Sequence, residues 1–117
     1  MMRMEIEIVM DQITRERLKE LALQRFGDMV KAVIDIERRV MAVGGELHAD
    51  EEQVLLDNGS KQQDLWGINL YPDMTDASWI ELDSMINLRP SQGNRSRSVD
   101  DEAIRRRIVE IVQLLTK

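Results

Sequence analysis

The sequence predicts an α+β fold: a mainly antiparallel sheet of four to five strands with two long helices and one short helix. Three observations carry this. Short runs of alternating apolar and polar residues recur along the chain. Two longer stretches place apolar residues at helical spacing. Two pairs of strand-like runs are joined by connections too short for a parallel crossover.

Met4 to Val9 reads as the first strand, with Glu5 and Glu7 alternating against Met4, Ile6 and Ile8. Thr14 is placed to cap a helix running to about Phe26, with Leu18, Leu21, Ala22 and Phe26 on its buried side. Gly27 suits the left-handed position after its last turn. Val30 to Ile36 and Arg39 to Val43 read as a hairpin about Glu37-Arg38. A short helix is expected from about Ala49 to Asp57, its first turn carrying Asp50, Glu51 and Glu52, and ended by Asn58-Gly59.

Leu65 to Tyr71 reads as a strand with Trp66, Ile68 and Leu70 on one side. Trp79 to Leu88 gives the clearest alternation: Ile80, Leu82, Ile86 and Leu88 against Glu81, Asp83 and Asn87. Ser98-Val99-Asp100-Asp101 resembles a capping box before a last helix striped by Ile104, Ile108, Ile111, Val112 and Leu115. The order is β-α-β-β-α-β-β-α, and its first six elements follow the order of a ferredoxin-like unit. Helices alternating with hairpins place the helices on one face of the sheet.

At 117 residues the chain is expected to be a single domain, 1–117. It has no cysteine, which excludes disulfides, thiol nucleophiles and cysteine-based metal sites. No apolar run approaches the roughly 18 residues of a membrane helix, and Glu5 and Glu7 stand where a signal peptide needs an apolar block. The chain is therefore read as soluble and cytoplasmic, with no membrane partner. Net charge is −6, concentrated in residues 46–64, where six acids face only Lys61. That balance repels a polyphosphate backbone and argues against nucleic acid as a partner.

The chemistry-bearing residues fall in two segments. Arg89-Pro90-Ser91-Gln92-Gly93-Asn94-Arg95-Ser96-Arg97 puts three guanidinium groups in one loop. Pro90 ends the preceding strand, and Gly93 and Asn94 permit a tight turn. Arg89, Asn94, Arg95 and Arg97 are the candidate ligand-binding residues, since guanidinium forks match carboxylate or phosphate. The loop's own neighbours Asp100, Asp101 and Glu102 compete for the same role. His48, the only histidine, is flanked by Glu46 and Asp50. Carboxylates beside it would help it keep its proton and act as general acid or base, with Asp50 or Asp64 positioning it. His48 with Asp50 or Asp64 also suits a hard cation, and a purely structural buttress to the short helix is the competing reading. Cofactor use is unknown from the sequence, and whether the chain is an enzyme stays open.

Three segments resemble a family. They are Gly44-Gly45-Glu46-Leu47-His48-Ala49-Asp50, Gly59-Ser60-Lys61-Gln62-Gln63-Asp64-Leu65-Trp66-Gly67 and Ile86-Asn87-Leu88-Arg89-Pro90-Ser91-Gln92-Gly93-Asn94-Arg95-Ser96. Together they resemble a small bacterial and archaeal family known only as a domain of unknown function, across essentially the whole chain. Members often carry Lys-Gly where this chain has Arg38-Arg39. The resemblance implies kinship and no activity.

Two functional expectations follow. The first is binding of a small anionic ligand, with hydrolysis as the attached chemistry, at a site joining the His48 segment to the Arg89–Arg97 loop. The second is a non-enzymatic homo-oligomer in which the acidic 46–64 segment of one subunit meets the basic loop of another. A nuclease is a third reading, weighed down by the acidity and the single histidine.

Overall fold

The computed structural model describes residues 6–117. The elements are β1 (Glu7–Val9), α1 (Arg15–Arg25), β2 (Val30–Asp35), β3 (Val40–Val43), α2 (His48–Asp57), β4 (Leu65–Leu70), β5 (Ile80–Glu81) and α3 (Glu102–Leu115). The order is the expected one, and the fold is α+β. Met4 and Glu5, assigned to the first strand from sequence, lie outside the described residues.

Thr14 caps α1 by accepting from the Arg17 amide, and Asp101 caps α3 by accepting from the amides of Ala103 and Ile104. Leu18, Leu21 and Ala22 bury the inner side of α1; Ile108, Ile111, Val112 and Leu115 bury that of α3. Phe26 departs from expectation: it lies past the end of α1 and is 39% exposed.

The sheet has the order β1-β3-β2-β4-β5, with every neighbouring pair antiparallel. β1 and β2, both antiparallel to β3, run parallel to each other through α1. β3 and β4, both antiparallel to β2, run parallel through α2. A ferredoxin-like arrangement would place β4 beside β1; here it joins at β2. That placement fixes the layers. The two crossovers step the same way across the sheet but leave from strands of opposite direction. A single handedness then requires α1 and α2 to lie on opposite faces.

The cores show it. One joins α1 and α3 to Ala32, Ile34, Met41, Trp66, Ile68 and Leu70. The other joins Leu55 of α2 to Val33, Val40, Ala42 and Leu65. The expectation of helices on one face is thus corrected: the sheet is covered on both, and every residue of β4 is buried.

The β2–β3 turn is organised by Asp35, which is fully buried. Its Oδ1 accepts from the Glu37 and Arg38 amides, each at 2.9 Å, and its Oδ2 accepts from the Ser60 hydroxyl at 2.6 Å. Arg39 takes φ +59°, the left-handed region that costs a non-glycine side chain about 1–2 kcal/mol. Arg39→Gly should therefore raise stability by about 0.5–1 kcal/mol in urea melts, net of glycine's greater unfolded-state entropy.

The expected strand Trp79 to Leu88 is the largest correction. Only Ile80 and Glu81 pair with β4. The chain then leaves the edge and turns through Met85–Asn87. Leu82 packs in the α1/α3 core and Ile86 in the α2 core, while Leu88 is 39% exposed. Asn87 does the work of the missing strand. Its Oδ1 accepts from the Gly67 amide at 2.8 Å, and its Nδ2 donates to the Gly67 carbonyl at 3.0 Å. Gly67 allows this because Ser84 lies directly over it: a Cβ built there would sit 2.5 Å from Ser84 Cβ. The segment therefore crosses onto the α2 face and ends beside α2.

Candidate functional site

The cleft lies between that folded-over segment and the N-terminus of α2. Sheet register builds its floor. Lys31 of β2 pairs with Asn69 of β4, which pairs with Glu81 of β5, so three polar side chains stand in a row across the sheet. They face the α2 side, since the alternate residues Ala32 and Ile68 belong to the opposite core. Tyr71, His48, Asp83 and Arg97 add to the polar lining, and Met29, Leu47, Met85 and Ile86 are among its apolar residues. The cavity is about 530 Å³, within the range of small-molecule sites.

His48 opens α2 and is 8% exposed. Its Nε2 lies 2.8 Å from the Ile68 carbonyl. A carbonyl can only accept, so Nε2 carries the proton and Nδ1 keeps the lone pair. Burial pushes the imidazole below its usual 6.5, the Ile68 bond opposes this, and Lys31, Asp83 and Arg97 contribute charge effects. The flanking carboxylates expected to keep His48 charged do not set its state. Burial does, and His48 is neutral at pH 7.

Arg97 donates from Nε to Asp83 Oδ1 at 2.8 Å, and its own carbonyl accepts from Ser84 N and Asn87 Nδ2. Backbone and Nε are thus held, while its two terminal nitrogens have no partner among the described residues. Lys31 has no ion-pair partner among them; its Nζ lies 5.4 Å from the centre of the Phe26 ring. Asn69 donates from Nδ2 to Glu81 Oε1 at 2.9 Å and to the Asp83 carbonyl at 3.2 Å. Tyr71 donates to the same Glu81 oxygen at 3.1 Å. With Nδ2 fixed by two acceptors, Asn69 Oδ1 is left buried with no donor.

The other candidates lie elsewhere. Arg89 is 7% exposed, stacks on Trp66 with its guanidinium carbon 4.2 Å from the ring centre, and donates to the carbonyls of Ile86, Gln62 and Gln63. It fastens the loop to the sheet. Asn94 is 4% exposed and ties three loop carbonyls. Arg95 is exposed, with only its amide bonded, to Asp100. The three arginines therefore diverge: Arg89 turns inward, Arg95 outward, and Arg97 alone reaches the His48 cleft.

Asp64 lies in the turn just before β4, where burial raises its carboxyl and Asp35 and Glu37 add to the rise. It does not line the His48 cleft. Asp50 is half-buried on α2, outside the cleft lining. The group that orients His48 is a main-chain carbonyl. Among the described residues no three His, Asp or Glu side chains converge as a metal site.

Lys31, Asn69, Tyr71 and Glu81 were absent from the sequence-derived site. The available signal was Lys31 and Asn69, lone polar residues within apolar runs, but their meeting depends on strand register.

The family model described as a protein of unknown function (DUF5674) matches residues 7–115. The chain belongs to the DUF5674 family. The match spans every element from β1 to α3, so the cleft is built wholly from residues within the family's span. Neither a curated protein nor a solved structure matches the chain. Among the described residues no helix is long and apolar enough to cross a membrane.

Beside the cleft Glu51 is fully buried, its Oε2 accepting from the Gly45 amide at 2.8 Å. Burial pushes its carboxyl well above the usual 4.5, an effect the Gly45 bond only partly offsets. The folded state then holds a proton that the unfolded chain releases above 4.5, so stability falls as pH rises from there. His48 acts on the other side. Its depressed value makes the unfolded chain the better proton binder below 6.5, so stability falls as pH drops from there. In melts across pH, Glu51→Gln should flatten the alkaline decline and His48→Gln the acid one. Unchanged profiles would contradict these assignments.

Proposed function

We propose that the protein binds a small ligand carrying an anionic group in the cleft between the N-terminus of α2 and the folded-over segment. One observation carries the reading. His48 and Arg97, from segments far apart in sequence, line one cavity with Lys31, and both cations keep donors without partners among the described residues. Arg97 is pre-positioned by Asp83, which lowers the ordering cost of using its terminal nitrogens. The ligand's anionic group sits between Lys31 and Arg97, and His48 Nδ1 is left to accept from a donor elsewhere on the ligand.

Binding is preferred to hydrolysis on one ground. A neutral imidazole is equipped to take a proton from water, yet no second titratable side chain orients it. The groove of about 560 Å³ along α3 is a weaker candidate, because its charges, Glu102, Arg105, Arg106 and Glu110, balance in sign along an exposed helix face.

The test is a titration with inorganic phosphate, acetate and N-acetyl-leucine, followed through the ring signals of the single histidine. Saturable shifts are expected with at least one anion, and their loss in Lys31→Met and Arg97→Met. Absence of saturable shifts with every anion at millimolar concentration would overturn the reading.

A further inference from the structure

The structure assigns to this cleft an apolar zwitterion, an α-amino acid or short peptide whose carboxylate and ammonium are held at opposite sides. This rests on the binding reading above and names its ligand class. Three features support it, starting with charge. The cleft holds two cations, Lys31 and Arg97, and two carboxylates, Glu81 and Asp83, around a neutral histidine. Asp83 is already paired with Arg97, so a plain anion would match Lys31 and the terminal nitrogens of Arg97 and leave Glu81 unmatched. A zwitterion matches Glu81 as well.

The second feature is the acceptor side. Glu81 lends one oxygen, Oε1, to both Asn69 and Tyr71, which leaves Oε2 for a donor. Asn69, whose Nδ2 holds the other Glu81 oxygen, has its own Oδ1 unpartnered in a residue that is 7% exposed. The amide cannot flip to cure this, since its oxygen would then face Glu81 Oε1 and the Asp83 carbonyl. A donor-rich ammonium answers both groups; a phosphate or simple carboxylate answers neither.

The third feature is the rim. Leu47 and Met85 flank the mouth, 54% and 63% exposed, and Met29 and Ile86 lie within. Exposed apolar side chains around a polar floor are suited to an apolar substituent, and methionine adapts to its shape. The register row Lys31–Asn69–Glu81 sets the polarity: carboxylate toward Lys31 on β2, ammonium toward Glu81 on β5, side chain toward Leu47 and Met85.

The experiment is calorimetry on the full chain with leucine, leucyl-leucine, leucinamide, N-acetyl-leucine and phosphate, paired with His48 ring shifts. Leucine or leucyl-leucine should bind and move His48, and the tighter of the two identifies a free amino acid or a peptide as the source. Leucinamide, lacking the carboxylate, and N-acetyl-leucine, lacking the ammonium, should each bind roughly tenfold or more weakly, the worth of a hydrogen bond to a charged group. Lys31→Met should abolish the preference for leucine over leucinamide, and Glu81→Gln that for leucine over N-acetyl-leucine. If N-acetyl-leucine or phosphate binds as tightly as leucine, the zwitterion assignment falls and anion binding stands. If no probe, phosphate included, moves His48, both fall. The ligand series is read on the unaltered protein, so a variant that misfolds does not decide the matter.

Discussion

Gly67→Ala should cost about 3 kcal/mol of stability, the upper end of overpacking losses. The added Cβ would meet Ser84 Cβ at 2.5 Å, Ser84 Oγ at 2.6 Å and Ile86 Cγ1 at 3.1 Å. Ser84 has no room to retreat. It is 1% exposed, its amide donates to the Arg97 carbonyl at 3.0 Å, and Asn87 clamps Gly67 three residues later. Gly27→Ala is the control. A Cβ there meets nothing within 4 Å, but φ is +94°, so only backbone strain of about 1 kcal/mol applies. Urea melts should show the two losses well separated. Adding Ser84→Gly should recover part of the Gly67→Ala loss, because the two residues share one contact. Equal losses at Gly67 and Gly27 would mean that Ser84 does not cover β4 as described.

Asn94→Asp, a change of one atom, should cost about 3–5 kcal/mol near neutral pH, the range for an uncompensated buried charge. Asn94 Nδ2 donates to the carbonyls of Asn87 at 2.8 Å, Ser96 at 3.0 Å and Ser98 at 2.8 Å. Its Oδ1 accepts from the Asp100 amide at 2.7 Å. The substitution turns a donor shared by three carbonyls into an acceptor facing them. The introduced carboxyl would hold its proton more strongly folded than unfolded, so stability should return partly as pH falls. Asn94→Ala should lose less, since it leaves groups unpaired without burying a charge. Melts of both variants at neutral and acid pH check this; an aspartate variant as stable as the alanine one would contradict it.

Both predictions concern residues that the sequence presents ambiguously. The nonapeptide loop reads as a row of ligands because its composition is polar. Its fold depends on which side chains turn inward, and Arg89 and Asn94 do so to satisfy carbonyls that a tight turn leaves unpaired. Arg89 and Asn94 exchange backbone hydrogen bonds across Pro90–Gly93, with Gly93 at φ +85°. Composition does not report that inward turn.

The strands and helices were legible because their apolar periods are local. Thr14, Leu18 and the α3 stripe needed no distant information. Trp79 to Leu88 misled because alternation does not say which core a side chain enters. Ile80, Leu82 and Ile86 alternate as in one strand, yet Leu82 and Ile86 serve opposite faces of the sheet. The layer assignment failed for a related reason. Element order is the same whether β4 joins at β1 or at β2, but only the second choice sends α2 to the opposite face. Part of the site was readable, His48 and Arg97 as unusual polar groups in two segments. Lys31, Asn69 and Glu81 were not, since only strand register brings them into one row.

The central claim is that the imidazole, Lys31 and Arg97 share a cleft. Because His48 is the only histidine, one ring titrates without overlap in proton NMR. Lys31 and Arg97 lower its pKa and Asp83 raises it. Lys31→Met and Arg97→Met should therefore each raise the measured His48 pKa, and Asp83→Asn should lower it. A His48 pKa identical in all three variants and the unaltered protein would place these groups apart and remove the site.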